Sequence, residues 1–225
     1  MSYFDELDST KRQLIEEHLQ LVIEANKCTN LTRIDDIDEA RILHIEDSLS
    51  GLPELLDAPD GEYADLGSGA GYPGVPLAIA TGRKTTLVDA RMKKMNVVKE
   101  ILEELNLDNQ IEVFPGRAEL LARKSSSRYS VITARALSKI AVLLELASPL
   151  LVMGGHLICY KSNVDDSEMN EADHVKDIVG MRLISDRSFL LDNRYSRRIL
   201  VYEKYRKSKV RLPRQEGMAQ KEILK

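Results

Sequence analysis

Between residues 65 and 76 the chain reads Asp65-Leu-Gly67-Ser-Gly69-Ala-Gly71-Tyr72-Pro73-Gly74-Val-Pro76. An apolar run over Glu62–Leu66 precedes this stretch, and a helical pattern over Val75–Ala80 follows it. Glycines between a strand and a helix let the backbone turn sharply and approach a ligand closely. Pro76 suits the first turn of a helix, where no N–H is needed. The next strand-like run ends in Asp89, 22 residues beyond Gly67. That spacing suits a carboxylate that takes the ribose hydroxyls of a nucleoside held on such a turn.

Outward from this loop, strand-like runs alternate with helical ones. Strands are expected near Glu62–Leu66, Thr85–Asp89, Ile111–Phe114, Ser130–Ala134, His156–Lys161, Arg182–Ser185 and Ile199–Lys204. Helices are expected near Val75–Ala80, Met92–Glu104 and Lys139–Leu151. This alternation predicts an α/β fold of Rossmann-like type, with a seven-stranded, mostly parallel sheet covered by helices on both faces. The last connection holds Asp192-Asn193 and no helix, so the last strand is expected to be antiparallel. Residues 1–60 read as a helical extension. In it a helix over 10–25 carries a Thr10/Gln13 capping box, a second runs from an Asp38 cap to about Ser50, and Leu52–Gly61 is a connector. Residues 61–206 form the core and 207–225 a basic C-terminal tail.

The composition, 43% hydrophobic and 30% charged over 225 residues, is that of a globular domain able to bury a core. No apolar run has the roughly 18 residues of a membrane span, and the N-terminus has no apolar signal region. Cys28 and Cys159 lie far apart with no metal-ligand spacing, so free thiols in a cytoplasmic protein and no metal are expected. The net charge of −4 is uneven. Residues 194–225 carry eleven basic and three acidic side chains, a net of +8, leaving −12 for the rest. A basic tail on an acidic body suits a polyanionic partner, though a solvated charged terminus has the same composition.

Gly69-Ala-Gly71-Tyr-Pro-Gly74 fits the literal G-x-G-x-x-G pattern of nicotinamide enzymes. Two features argue against a dinucleotide. Asp65, two residues before the first glycine, repels a pyrophosphate but tolerates a cationic ligand such as the sulfonium of S-adenosylmethionine. Pro73 also removes an N–H that would face phosphate.

At these residues the chain resembles the 16S rRNA guanine-N7 methyltransferase G family, also called glucose-inhibited division protein B. Asn30-Leu-Thr32 with His44-Ile-Glu-Asp47-Ser48-Leu resembles its N-terminal signature, and Asp65 through Leu77 its cofactor loop. Leu87-Val-Asp89, Arg117-Ala-Glu119, Ala134-Arg135-Ala136, Tyr160-Lys161-Ser162 and the tail piece Arg211-Leu-Pro213-Arg214-Gln-Glu-Gly217 follow in the family's order. The chain departs from the pattern in having no tryptophan before Asn30 and no proline after Lys221.

The resemblance implies a class I methyltransferase fold. It also implies S-adenosylmethionine as cofactor and methylation of N7 of one guanine (position 527) in 16S rRNA or a small-subunit precursor. The expected protein is a cytoplasmic, monomeric enzyme with no membrane partner. Cofactor contacts fall on Gly67 and Tyr72, on Asp89 at the ribose, on Ala118 and Glu119 near the adenine, and on Arg135. Asp65 and Gly69 complete the expected cofactor set from the loop itself.

The residues carry an independent chemical argument. After the fourth strand stands Thr133-Ala-Arg135-Ala, not the Asn/Asp-Pro-Pro-aromatic motif of amine methylation, and Cys159 sits in an apolar run rather than after a proline. Guanine N7 needs neither device, because it has a lone pair and no proton to remove, and positioning suffices. Arg135 suits the cofactor carboxylate or the guanine acceptor edge, and Lys161 and Arg198 suit phosphate or substrate. His44, Asp47 and Ser48 share one helix, where such spacing makes neighbours rather than a hydrolase triad. A helix roofing the cofactor and a purely structural one both fit. Two competing functions remain from the sequence: a nicotinamide-dependent oxidoreductase, and a non-catalytic RNA-binding assembly factor that keeps the fold.

Overall fold

A computed structural model describes residues 3–34 and 36–225. The chain enters through α1 (Ser9–Thr29), capped by Asp8, whose side chain accepts the Lys11 N–H at 3.0 Å. The cap is therefore Asp8 and not the expected Thr10; its carboxylate also suits the positive end of the helix. α1 buries Ile15, Leu19 and Val22, with His18 among them, and ends at Asn30 in the left-handed region. The second helical stretch starts from Asp36, not Asp38, because the Asp36 carboxylate accepts the Glu39 N–H. It comprises α2 (Ile37–Ala40), a π-helical turn (Arg41–Glu46) and α3 (Asp47–Leu49). The expected connector at 52–61 contains a short helix, α4 (Leu52–Leu56).

The core is one seven-stranded sheet: β1 (Glu62–Leu66), β2 (Thr85–Asp89), β3 (Ile111–Pro115), β4 (Tyr129–Arg135), β5 (Leu151–Lys161), β6 (Met181–Leu191) and β7 (Tyr195–Lys204), in the order β3-β2-β1-β4-β5-β7-β6. β1 to β5 pair in parallel, and β7 runs antiparallel to both β5 and β6. Asp192 and Asn193 both take positive φ in the three-residue β6–β7 turn, which the Arg194 N–H closes onto the Leu191 carbonyl, as the central residues of a primed-type turn require.

α5 (Gly74–Thr81) and α6 (Met92–Glu104) pack on one face with α1, and α8 (Ile140–Ala147) on the other; α7 (Ala118–Lys124) and α9 (Asp166–Val179) join α8 there. The last two were not anticipated. α7 spans only two turns, and α9 (DSEMNEADHVKDIV) buries just Ala172, Val175 and Val179. α8 stops earlier than expected because β5 begins at Leu151, five residues before the expected strand. A register irregularity between Tyr129 and Val131 accommodates this longer strand. β6 runs to Leu191 rather than Ser185, on an edge where most side chains are exposed and burial leaves little alternation to read.

The 207–225 segment is packed against this core. Leu212, Ile223 and Leu224 lie on the α8–α9 face, Ala219 is buried, and α10 (Met218–Lys221) contacts α8. The strand order reverses direction between β1 and β4. The crevice beyond their carboxyl ends, where open α/β sheets bind ligands, holds the site.

Candidate active site

The glycine loop is tied down by its own backbone. Gly67 and Ser68 both donate to the Val88 carbonyl, at 2.7 and 3.2 Å. Gly67 adopts φ 76°, and a Cβ there would lie 2.8 Å from the Leu137 side chain, so only glycine lets the loop sit against the β4–α8 connection. Asp89 fixes the loop from β2: one oxygen accepts the Gly69 N–H at 3.1 Å and the other the Arg91 N–H at 2.8 Å. Each oxygen keeps further acceptor capacity, and Asp89 lines the cavity above the loop.

Asp65 is placed differently. It is fully buried behind the loop, where it accepts the Gly74 N–H at 3.0 Å and the Thr133 hydroxyl at 2.7 Å; Thr133 in turn meets the Tyr63 hydroxyl at 2.6 Å. Burial pushes its carboxyl up to about 7, against the opposing pull of Thr133, Arg135 and the Gly74 N–H. Asp65 does not line the cavity; it braces the turn that does.

The cavity measures about 420 Å³, within the range of small-ligand sites. Gly67 to Ala70, Asp89, Ala118, Glu119 and Arg135 form its walls. Over them the N-terminal extension builds a roof. The Tyr72 ring stacks on His44 with centroids 4.4 Å apart and planes 8° apart, and His18 meets Tyr72 edge-on at 5.0 Å. The Thr32 hydroxyl holds His44 Nε2 at 3.0 Å. Burial drives His18 down to about 3 and His44 to about 4, the latter helped by the Arg135 charge, so both rings are neutral near pH 7. The same burial raises the Tyr72 phenol. Of the roles open to the His44 helix, the roof is the one its geometry serves.

Arg135 lies at the junction of two cavities. Its Nη1 donates to the Leu43 carbonyl at 2.9 Å and to Asp47 Oδ2 at 2.8 Å, while Asp47 Oδ1 accepts from Arg197 at 2.7 Å. The neighbouring cavity, about 410 Å³, shares His44, Arg135 and Ala136 with the first and adds Lys161, Asn163 and Arg197. Ala136 takes φ 53°, a conformation that costs a non-glycine residue about 1 kcal/mol and tends to persist at functional sites. Lys161 reaches this second cavity while paired with Glu168 at 2.7 Å. Arg198 does not reach it. Neighbours on a strand face opposite ways, so Arg197 turns to Asp47 and Arg198 to Asp186, at 2.6 Å.

The sequence reading missed Arg197 and the C-terminal segment. Glu119, 4% exposed, accepts the Gly217 N–H at 2.7 Å, and Gln220 lines the first cavity with Arg117 donating to it. Arg214 anchors this segment by a two-pronged contact to the buried Glu145, at 2.8 and 2.7 Å. The only sequence signal was the order Arg214…Gly217 in the tail motif. Cys159, fully buried with its thiol pushed up to about 12, is a core residue. Among the described residues no cluster of His, Cys, Asp and Glu is arranged to hold a metal, and no helix is long and apolar enough to cross a membrane.

Solved structures of similar fold include an O-methyltransferase from Bacillus cereus in complex with SAH (TM-score 0.59, 16% identity, 83% of this chain and 90% of that one). Another is the cofactor-bound Rv0187 from MTB (TM-score 0.58, 15% identity, 84% and 90%). In sequence, the chain is 33% identical over 223 residues to the Ribosomal RNA small subunit methyltransferase G of Streptococcus gordonii, covering 97% of this chain and 94% of that one. It is 32% identical to the protein of the same name from Streptococcus sanguinis, with the same coverage. The family model described as GidB, rRNA small subunit methyltransferase G, matches residues 11–193. With this match and these relatives spanning nearly its whole length, the chain belongs to the rRNA small subunit methyltransferase G family.

Proposed function

We propose that the chain transfers a methyl group from S-adenosylmethionine to N7 of a guanine, position 527, in 16S rRNA or a small-subunit precursor, acting in the cytoplasm as a monomer. One observation carries this reading. A cavity walled by the glycine loop and Asp89 lies beside a second cavity lined by Arg135, Lys161 and Arg197 together with Asp47, the two sharing His44, Arg135 and Ala136, as a cofactor site beside a nucleotide site requires. The exposed free thiol of Cys28 suits a reducing compartment.

The residues present fit the cofactor. Asp89 offers two carboxylate oxygens to vicinal ribose hydroxyls, the glycine backbone leaves room for close approach, Ala118 and Glu119 border the adenine end, and Tyr72 and Arg135 close the methionine end. Asp65 contributes by holding Gly74 and hence the loop. Bound there, the cofactor supplies an electrophilic methyl group on a sulfonium. Guanine N7 presents an in-plane lone pair and no proton, so the chain needs no general base; its work is to fix the base in line and keep water out. Arg135 uses one nitrogen on Leu43 and Asp47, which leaves N–H donors for the O6 edge of guanine. Asp47 locks both Arg135 and Arg197 in place, and Lys161 lines the second cavity with them.

The test uses purified protein, radiolabelled S-adenosylmethionine and unmodified 16S rRNA presented free, in subunits and in partly assembled particles. Label in N7-methylguanine, lost in Asp89→Ala, is the expected result. No label with any of the three substrates would remove the proposal.

A further inference from the structure

Beside the cofactor cavity lies a third one, of about 760 Å³, between the end of α1, the 30–33 loop and the start of α6. It shares Leu31, Thr32 and Arg91 with the cofactor cavity. Four cations, Lys27, Arg33, Arg91 and Lys94, line it, and among the described residues no carboxylate does. Asn26 lines it as well; its Oδ1 accepts the Thr32 N–H at 2.9 Å, so its remaining polar atom is a donor.

One of these charges, that of Lys94, is costly where it stands. Lys94 is half-buried, with its ammonium on the Leu31 carbonyl at 2.5 Å. Burial and the nearby Arg91 and Arg33 lower its affinity for a proton, and Asp89 opposes them. Arg91 is exposed and has no side-chain partner among the described residues, whereas Lys27 is drawn to Glu24. Arg91 and Lys94 also stand at the start of α6, where the helix dipole disfavours cations. A cluster of cationic donors at the rim of a nucleotide site, with no carboxylate among its described lining residues, is the complement of a phosphodiester.

We propose that this cavity binds a backbone phosphate of the RNA strand that carries the target guanine. The proposal rests on the reading of the chain as an RNA methyltransferase. Arg33 and Lys94 set the register of the strand, and Arg91, at the shared wall, links the phosphate to the loop that holds Asp89. The site adds affinity and salt dependence without reading a base.

The test is the salt dependence of binding to a 16S rRNA fragment, followed by fluorescence anisotropy, for wild type, Arg33→Gln, Arg33→Lys and Arg33→Gln/Lys94→Gln. Each lost phosphate contact reduces the slope of log K against log salt by about 0.7–0.9. The expected result is a reduced slope and roughly tenfold weaker RNA binding in the double variant, with Arg33→Lys like wild type. S-adenosylmethionine affinity by calorimetry stays within about twofold, and so does the turnover at saturating RNA. Arg33→Gln alone serves if the double variant fails to fold, and Lys84→Gln, exposed at the opposite end of β2, controls for general charge loss. An unchanged slope in folded variants overturns the proposal. So does a slope reduced equally by Lys84→Gln. Titration of inorganic phosphate separates the other source of the same chemistry: phosphate binding that the variants abolish, with RNA binding intact, assigns the cavity to a free anion and overturns the RNA assignment. Because anisotropy needs no methyl transfer, a chain that binds RNA here but labels none would fail the functional reading while keeping this site.

Discussion

Replacing Asp65 with asparagine isolates a single buried proton. Asp65 is fully buried, and burial pushes its carboxyl from 3.8 to about 7. An acid whose pKa is raised by folding binds its proton more tightly in the native state than in the unfolded chain. Its contribution is therefore full at low pH and is lost as pH rises from about 4 to about 7. The whole loss is about 4 kcal/mol, at 1.36 kcal/mol per pKa unit. Between pH 5 and pH 7.5 it amounts to about 2.5 kcal/mol.

Two buried histidines act in the opposite direction. His18 and His44 are lowered to about 3 and about 4, so they withdraw stability as pH falls below their unfolded value of 6.5. Asparagine leaves both untouched. It can also keep the local bonds, with its oxygen accepting from Gly74 and its amide donating to the Thr133 hydroxyl. The difference between wild type and Asp65→Asn, measured by urea denaturation at several pH values, therefore cancels the histidines. The wild-type midpoint should fall relative to the variant by roughly 1 M urea from pH 5 to pH 7.5. Parallel curves for the two proteins across that window would refute the reasoning, since Asp65 would then be ionised as it is in water. Cofactor affinity should change less than about threefold, because Asp65 supports the loop from behind.

Three further outcomes follow from the packing. Tyr72→Phe removes a buried hydroxyl that has no hydrogen-bond partner among the described residues, so stability in thermal melts should rise by about 1 kcal/mol, whereas Tyr72→Ala, which also empties the His44 stack, should cost about 3–4 kcal/mol. Arg214→Ala leaves Glu145, whose side chain is 5% exposed, without its guanidinium; a loss of about 2–4 kcal/mol is expected after allowance for the partly exposed arginine, and urea denaturation measures it. Deleting 207–225 should weaken S-adenosylmethionine binding in calorimetry at least tenfold, because Gly217 and Gln220 contact the Glu119 end of the cavity. Unchanged cofactor affinity with weaker RNA binding would instead make the segment an RNA arm.

By itself the sequence determined the α/β alternation, the glycine loop and the carboxylate at the end of β2. Each is local: a period of two or 3.6, or a residue type that one backbone conformation demands. The α9 start was equally readable, since the Asp165 side chain caps it through the Glu168 N–H, but its apolar stripe was too thin to attract notice. What only the tertiary structure decided are the contacts made across great separations in sequence. The His44–Tyr72 stack, the Asp47 bridge to Arg135 and Arg197, and the Arg214–Glu145 anchor join elements that no periodicity links. The choice of Arg197 over Arg198 is the sharpest case. Both lie on one strand and have one chemistry, and only the register of β7 against β5 and β6 decides which guanidinium faces the site.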